Sequence, residues 1–218
     1  MPKTLLTVLA DRILVADGAM GTMLQAASPT EDDFQGHEGL WDIFNVSRPD
    51  LVRAIHDGYL AAGSDCITTN TFNTNFTGLG EYGIGDRLRE LAEAGARLAK
   101  EVADGWSTPD RRRYVLGSIG PGTKLPTLGH APYATLRDAY LESVTGLLAG
   151  GVDAIIVETC QDLLQAKSAV VGAHRAMAAA GRRVPVIAHA TVETTGTMLL
   201  GSEIGAALTA LQSLGIDL

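Results

Sequence analysis

The sequence predicts an α/β protein of the (β/α)8, or TIM-barrel, type. Five apolar runs each end abruptly on a polar or glycine-rich cluster, and segments with helical periodicity separate them. Three of the joins between a helix and the next run share one pattern, Gly63-Ser64-Asp65, Gly151-Val152-Asp153 and Gly215-Ile216-Asp217. In this pattern glycine ends a helix and an apolar strand follows. Strands that alternate with helices in this way form a parallel sheet, and such a sheet can close into a barrel.

We predict strands at residues 13–17, 66–70, 114–118, 154–158 and 186–191, and Leu218 would enter a sixth. A closed eight-stranded barrel typically needs about 250 residues. We therefore expect residues 1–218 to form an incomplete barrel domain, with about five β-α units plus the start of a sixth strand. The apolar run near the start of the chain is interrupted by Asp11 and Arg12, so we expect a helix that closes the barrel floor rather than a signal sequence.

The segments between the strands have apolar residues at helical spacing. The first helix has Pro49 in its first turn and presents Leu51, Ile55 and Tyr59 on one face before Gly63. Similar stripes begin near Leu88, Leu136, Leu163 and Ser202. The polar segment 28–39 has no such stripe, so we expect a loop that lies over the barrel mouth or in solvent.

Composition excludes several classes of protein. The chain carries a formal net charge of −8 and has no Lys/Arg stripe, which argues against nucleic acid and against anionic membranes as partners. No segment approaches membrane-spanning length. Cys66 and Cys160 are the only cysteines, too few for a disulfide framework, and they fall near opposite ends of their strands. We expect a cytoplasmic protein with no metal bound in this chain.

The cluster Asp17-Gly18-Ala19-Met20-Gly21 directly follows the first strand. Its glycines allow a sharp turn whose N–H groups suit a carboxylate or phosphate. The alternative is a simple turn capped by the aspartate.

Glu158 ends a wholly apolar strand, where a carboxylate is costly to bury unless a cation or hydrogen-bond donors meet it. A cationic ligand group is one partner, and a structural arginine is the other. Because residues just past the strand ends of a parallel barrel converge on one mouth, we favour the ligand.

Together the strand ends suit an α-amino acid. Asp17 and Glu158 would take the ammonium group, and the amides of Gly18, Ala19 and Met20 would take the carboxylate. Asn70, Ser118 and Thr71 add an amide and two hydroxyls. Sugar hydrolysis fits less well because aromatic residues make up only 5% of the chain. No lysine ends a strand, as Schiff-base chemistry would need. For His189, on the fifth strand, a hydrogen-bonded interior role is more common than catalysis.

The same residues resemble the amino-terminal, homocysteine-binding domain of cobalamin-dependent methionine synthases. The matching stretches are DGAMGTMLQ at residues 17–25, DFQG at 33–36, TNTF at 69–72, GSIGPG at 117–122, VETCQD at 157–162 and TVETTGTMLLGSE at 191–203. They extend over almost the whole chain and are specific in combination.

The resemblance implies a (β/α)8 domain that binds homocysteine and zinc and transfers a methyl group from methylcobalamin, originally from 5-methyltetrahydrofolate, to the thiol. It implies that Asp17 and Glu158 hold the amino group, that Ser118 and the amides of residues 18–20 hold the carboxylate, and that Asn70 lines the pocket. In that family three cysteine thiolates hold the zinc, the first of them on the sixth strand.

The chain ends before these cysteines, and neither Cys66 nor Cys160 corresponds to one. We therefore expect zinc, cobalamin, and the folate and cobalamin domains to belong to a full-length parent, while this chain binds no cofactor and is not catalytic alone. Two alternatives remain open. One is a homocysteine methyltransferase that uses betaine or S-methylmethionine, and the other is a non-catalytic fragment that forms a homodimer or swapped assembly through open sheet edges.

Overall fold

The computed structural model of the protein describes residues 4–218. Its strands are β1 (Cys66–Thr68), β2 (Tyr114–Ile119), β3 (Ala154–Cys160) and β4 (Val186–Ala190). The α-helices are α1 (Leu5–Leu9), α2 (Gly21–Ala26), α3 (Phe44–Ser47), α4 (Pro49–Ala62), α5 (Phe76–Gly80), α6 (Leu88–Trp106), α7 (Tyr133–Gly150), α8 (Leu163–Ala180) and α9 (Ile204–Gln212). Short 3-10 helices lie at Glu31–Phe34, Trp41–Ile43, Gly85–Arg87 and Pro126–Leu128.

The four strands form one parallel sheet in the order β1-β2-β3-β4, with a helix crossing over between each pair. Pairing continues beyond both edges. At the β4 edge, Leu218 donates its N–H to Val186 O (3.3 Å) and accepts the N–H of Ala188 (2.9 Å), as expected for the start of a sixth strand.

The predicted first strand, residues 13–17, is shorter than expected. It contributes one isolated parallel bridge, between Ala16 and Cys66. The strand predicted at residues 66–70 is also shorter, because the Thr71 N–H turns back to Thr69 O (2.9 Å) and so ends the extended run.

The main core lies between the outer face of the sheet and helices α6, α7 and α8. Outward-facing Ile67, Val115 and Ile155 are all fully buried in it. A second, inner cluster joins Leu5 of α1 to Cys66, Leu116 and Ile156. The expected floor helix is therefore present, and the amino-terminal ends of the strands, which we call the floor, are covered by it.

Each aspartate of the repeated Gly-x-Asp pattern forms the same clamp at the floor. Its carboxylate accepts the backbone N–H of a valine on the neighbouring extended segment, and its own N–H donates to the carbonyl of that valine. The pairs are Asp65 with Val15 (3.1 and 2.7 Å), Asp153 with Val115 (3.0 and 2.8 Å) and Asp217 with Val186 (2.9 and 2.8 Å). The repeated aspartate thus fixes the register between two consecutive strands.

Arginines neutralise these three carboxylates. Asp65 pairs with Arg12 (2.9 Å) and Arg111 (3.1 Å), and Arg12 holds the pKa of the Asp65 carboxyl well below its usual range. Asp153 pairs with Arg112 (2.5 Å) and Asp217 with Arg183 (3.0 Å).

Segment 28–44 folds back on the protein through aromatic side chains. The rings of Phe34, Trp41 and Phe44 contact one another with centroids 4.9 to 5.4 Å apart, and Phe34 and Phe44 are buried. Trp41 and Asp42 therefore lie at the carboxyl-terminal ends of the strands, which we call the mouth, and line the cavity that opens there.

Within residues 4–218, every helix is too short or too polar to cross a lipid bilayer.

Candidate functional site

A cavity of about 680 Å³ occupies the inner side of the sheet. The seven residues predicted for substrate binding all line it, namely Asp17, Gly18, Ala19, Met20, Asn70, Ser118 and Glu158. The structure therefore brings together residues that are up to 141 positions apart in the chain, counted from Asp17 to Glu158.

The inner face of the sheet has two chemical layers because side chains alternate along each strand. The lower layer is apolar apart from a thiol and consists of Cys66, Leu116, Ile156 and Ile187. Two residues further along each strand, the upper layer is polar and consists of Thr68, Ser118, Glu158 and His189. A ligand in this cavity would meet an apolar floor and a polar rim.

Thr68 holds the carboxylate of Asp17 in place with two hydrogen bonds. The backbone N–H of Thr68 donates to one carboxylate oxygen (2.7 Å) and its hydroxyl donates to the other (2.8 Å). Burial raises the pKa of Asp17 to about 6, and the neighbouring charge of Glu158 adds to this, while the Thr68 hydrogen bonds oppose it. A cationic ligand group suits this site, because its positive charge would favour the ionised form of the Asp17 carboxyl group that burial disfavours.

The turn after Asp17 offers unused donors. No hydrogen bond within residues 4–218 uses the backbone N–H groups of Gly18, Ala19 and Met20. Tyr59 fixes the turn from below, since its hydroxyl donates to Ala19 O (2.8 Å). A side chain at Gly18 would stand 3.1 Å from the Tyr59 hydroxyl, so this glycine allows the close approach.

Glu158 lines the cavity near the end of β3, next to an irregularity in that strand. Val157 pairs with Ala188 and Cys160 with Ala190, so three steps on β3 match two on β4, which is a β-bulge. Thr159 takes a left-handed conformation there, with φ of 57°. The hydroxyl of Ser118 donates to Glu158 Oε1 (2.5 Å) and orients the carboxylate.

Asn70 lines the cavity, but its amide nitrogen is engaged by the protein. It donates to Trp41 O (2.8 Å) and to Asn45 Oδ1 (3.3 Å), and Asn45 in turn donates to Asn70 O (2.7 Å). Its clearest role is to hold the Trp41 segment against the end of β1.

Two expectations about side chains were wrong. Thr71 is fully buried and lies outside the cavity lining, because the turn after Thr69 points its hydroxyl into the protein. His189 is exposed and lines the cavity rather than being enclosed in the interior. The two-residue alternation from Ile187 would have placed His189 in the polar layer.

The sequence did not single out Asp42, which lines the cavity at the mouth. It is buried and accepts two hydrogen bonds from Asn73, from the backbone N–H (2.9 Å) and from the side-chain amide (3.0 Å). Burial raises the pKa of Asp42 to about 6. No local pattern predicts this pair, because its members are 31 residues apart.

The cavity lining contains acidic groups and no lysine or arginine. Among residues 4–218, no basic side chain lies within 4.0 Å of a carboxylate oxygen of Asp17 or Glu158. The arginine partner that was the alternative for Glu158 is therefore not found in the described part of the chain.

The described residues do not fit a zinc ion. Across residues 4–218, no three His, Cys, Asp or Glu side chains are grouped as metal ligands. Cys66 and Cys160 are buried free thiols on different strands, and burial raises the pKa of each to about 12, whereas zinc binds the thiolate.

Comparison with known proteins places the chain in a family. The family model described as homocysteine S-methyltransferase matches residues 14–218. The chain belongs to the homocysteine S-methyltransferase family. The resemblance found in the sequence motifs is thereby confirmed.

Curated relatives include two methionine synthases. The chain is 62% identical over 214 residues to that of Mycobacterium tuberculosis and 59% identical to that of Mycobacterium leprae. Each alignment covers 98% of the chain, which spans 18% of the length of either relative.

Solved structures confirm the predicted fold class. The oxidised form of the homocysteine methyltransferase MmuM from Escherichia coli superimposes with a TM-score of 0.75 at 20% identity, covering 95% of this chain and 72% of that one. The metallated form gives 0.74 at 21% identity, covering 96% and 74%. At this identity the likeness establishes the fold alone.

Proposed function

We propose that this chain is the homocysteine-binding part of a methionine synthase, in which a methyl group passes from methylcobalamin to the homocysteine thiol to give methionine. The observation that carries the proposal is the pair of carboxylates, Asp17 and Glu158, that line one cavity without a cationic partner in the described residues. The family membership and the identity to methionine synthases support it.

In the proposed complex the ammonium group of homocysteine lies between Asp17 and Glu158. The ammonium supplies three donors and a positive charge, which lowers the cost of keeping both carboxylates ionised in a partly buried site. The carboxylate of the ligand meets the unused N–H groups of Gly18, Ala19 and Met20, because successive free amides form an anion-binding concavity.

The role of Ser118 in this complex depends on which group accepts its one hydroxyl hydrogen. Its hydroxyl hydrogen is directed at Glu158, so Ser118 donates to the ligand carboxylate only if the ammonium replaces it at Glu158. Without such an exchange, Ser118 orients Glu158, and Asn70 lines the pocket.

The reacting thiol needs a group that the described residues do not supply. In the full-length protein, zinc would deprotonate the thiol and cobalamin would carry the methyl group, and both would be held outside residues 4–218. The contribution of this chain is then recognition and orientation of the amino acid, with folate and cobalamin domains as its partners in the parent protein.

Calorimetric titration of the chain with L-homocysteine tests the proposal. Glu158→Gln should weaken binding by about tenfold or more, because a hydrogen bond to a charged group is lost. Asp153→Asn is the matched control: it removes a carboxylate from the floor and should leave affinity unchanged. If wild-type chain fails to bind, or if both variants bind as wild type does, the proposal is wrong.

Two ligand analogues sharpen the assignment of charges. 4-Mercaptobutanoate lacks the ammonium group, and 3-mercaptopropylamine lacks the carboxylate. Loss of affinity in Glu158→Gln should be seen with the amine and not with the acid. The donor is tested separately by offering methylcobalamin, betaine or S-methylmethionine to the full-length protein, where turnover with betaine or S-methylmethionine would favour the alternative methyltransferase.

The cytoplasmic location and the assembly through sheet edges stay predictions. For self-association, light scattering of the purified chain is the direct measurement, and a monodisperse monomer would contradict it.

A further inference from the structure

Two buried threonines lie directly behind Ser118. Thr69 and Thr71 follow the end of β1 and are 3% and 0% exposed, and Ser118 on β2 is 1% exposed. Ser118 N donates to Thr69 Oγ1 (2.9 Å), and Thr71 Oγ1 donates to Ser118 O (2.8 Å). The two threonine hydroxyl oxygens are 2.5 Å apart.

The direction of every hydrogen bond in this group follows from its two ends. The Ser118 N–H can only donate, and the Ser118 carbonyl can only accept. Since the one hydroxyl hydrogen of Thr71 goes to Ser118 O, the hydrogen between the threonines must come from Thr69. The chain of bonds runs from Ser118 N–H through Thr69 and Thr71 back to Ser118 O, and it closes a ring around a single residue.

This ring replaces a missing part of the sheet. Backbone pairing of β1 with β2 ends where Thr69 N donates to Leu116 O (2.9 Å). The Thr69 carbonyl, which would be next in the ladder, accepts Thr71 N–H instead (2.9 Å). The Thr69 hydroxyl therefore takes the place of a backbone acceptor for Ser118.

A glycine on α6 leaves space for the ring. A Cβ on Gly95 would lie 2.7 Å from the Thr71 methyl carbon and 2.6 Å from Asn45 Nδ2. The missing side chain at position 95 thus leaves room for the Thr71 methyl group, while the Thr71 hydroxyl faces Ser118. In this buried setting, chained hydrogen bonds reinforce one another and water does not compete.

We propose that Thr69 and Thr71 are positioning residues for substrate binding: their closed ring of hydrogen bonds fixes the Ser118 backbone and so aims the Ser118 hydroxyl at Glu158. Thr71 lies outside the cavity lining and so acts without touching the ligand, whereas Thr69 is among the lining residues. The inference rests on the proposed function for its effect on homocysteine, but the ring itself is independent of any ligand.

The ring is tested first without ligand, by residue-resolved amide hydrogen exchange. Thr69→Val removes the acceptor of the Ser118 N–H and keeps the side-chain shape. Exchange of the Ser118 amide should accelerate at least about tenfold relative to the amides of Val115 and Leu116, because a buried hydrogen bond is lost. The control is Thr145→Val, since Thr145 donates to Leu141 O on α7, away from the site. Unchanged exchange at Ser118 in Thr69→Val would overturn the proposal.

The positioning role is tested by a double-mutant cycle on homocysteine affinity. Thr71→Val should weaken binding about fivefold, the effect of one hydrogen bond, whereas Thr71→Ser should stay within about twofold of wild type. In a Ser118→Ala background, Thr71→Val should change affinity by less than about twofold, because the threonine acts through Ser118. A fivefold loss that persists in that background would overturn the proposal.

The two tests separate the possible failures. If the wild-type chain does not bind homocysteine, the proposed function fails and amide exchange decides the ring alone. If the wild-type chain binds and Thr71→Val binds equally well, the positioning role is wrong while the proposed function stands.

Discussion

The floor and the mouth of the sheet both carry buried or half-buried carboxylates, but the surroundings of these carboxylates shift their pKa values in opposite directions. At the floor, Asp65 meets three arginines and its pKa is lowered by Arg12. At the mouth, Asp17 meets only Thr68, and burial raises its pKa to about 6. The same kind of side chain thus stabilises the fold at one end and is kept available for a ligand at the other.

The largest expected effect is on stability at the floor. Asp65→Asn leaves Arg12, Arg111 and the buried Arg113 without their shared carboxylate. Removal of one partner from a buried ionic group costs about 3 kcal/mol in the free energy of unfolding, measured in urea. Asp17→Asn is the matched variant at the mouth and should unfold at the same or a higher urea concentration at pH 7. Equal losses in both variants would remove the contrast between the two ends.

The second-largest expected effect is a loss of stability caused by a substitution near the mouth. Gly95→Ala places a methyl group against Thr71 and Asn45, and overpacking of this kind costs about 2 kcal/mol. Gly105→Ala, in the same helix, meets nothing within 4 Å and should gain up to about 1 kcal/mol from helix propensity. Thermal unfolding of both variants checks the sign of each change.

The pH dependence of homocysteine affinity and of stability should also distinguish the mouth from the floor. Affinity for homocysteine should fall by about tenfold between pH 7 and pH 5, because Asp17 becomes protonated as the pH falls through about 6. In Asp17→Asn this part of the dependence should be absent. Calorimetry at both pH values measures it, and an identical slope in the variant would contradict the role of Asp17.

The sign for stability is opposite to that for binding. The folded pKa of Asp17 lies above the unfolded value of 3.8, so its stabilising contribution is complete below pH 3.8 and is lost as the pH rises through about 6. For Asp65 the folded pKa is lowered, so its contribution is present above the unfolded value and is lost on acidification. Asp17→Asn should therefore gain stability relative to wild type between pH 4 and pH 7. Buried His56, with a pKa lowered to about 4, is common to both proteins and cancels in this difference.

The smallest effect concerns the bulge. Thr159→Gly relieves a left-handed conformation at φ of 57° but makes the unfolded chain more flexible, so a net gain of about 0.5 kcal/mol is expected. Homocysteine affinity should stay unchanged, because the bulge is set by pairing with β4. A loss of affinity would show that the Thr159 side chain itself holds Glu158 in place.

Features that depend on neighbours in sequence were predictable. The apolar runs and the glycines before Asp65 and Asp153 predict the parallel sheet, since each reports on a local strand or helix end. That Ser118 and Glu158 would line one cavity was predictable because both lie at strand ends, where a parallel sheet gathers its polar side chains.

What depends on distant partners was not predictable. The arginines of the floor come from segments far from their aspartates, such as Arg12 and Asp65, which are 53 residues apart. The inward turn of Thr71 follows from the early end of β1. These contacts depend on how distant segments are aligned in the fold. The residue pattern within one segment does not indicate that alignment.

The clamps between aspartate and valine also divide the sheet into pairs. They join residues 13–17 to β1, β2 to β3, and β4 to Leu218, whereas among the described residues none joins β1 to β2 or β3 to β4. Partial unfolding should then separate the sheet at its unclamped boundaries and release two strands together. The protein would open as three clamped pairs, each keeping its own alignment, and the cavity wall would be rebuilt from these preformed pairs when they meet again.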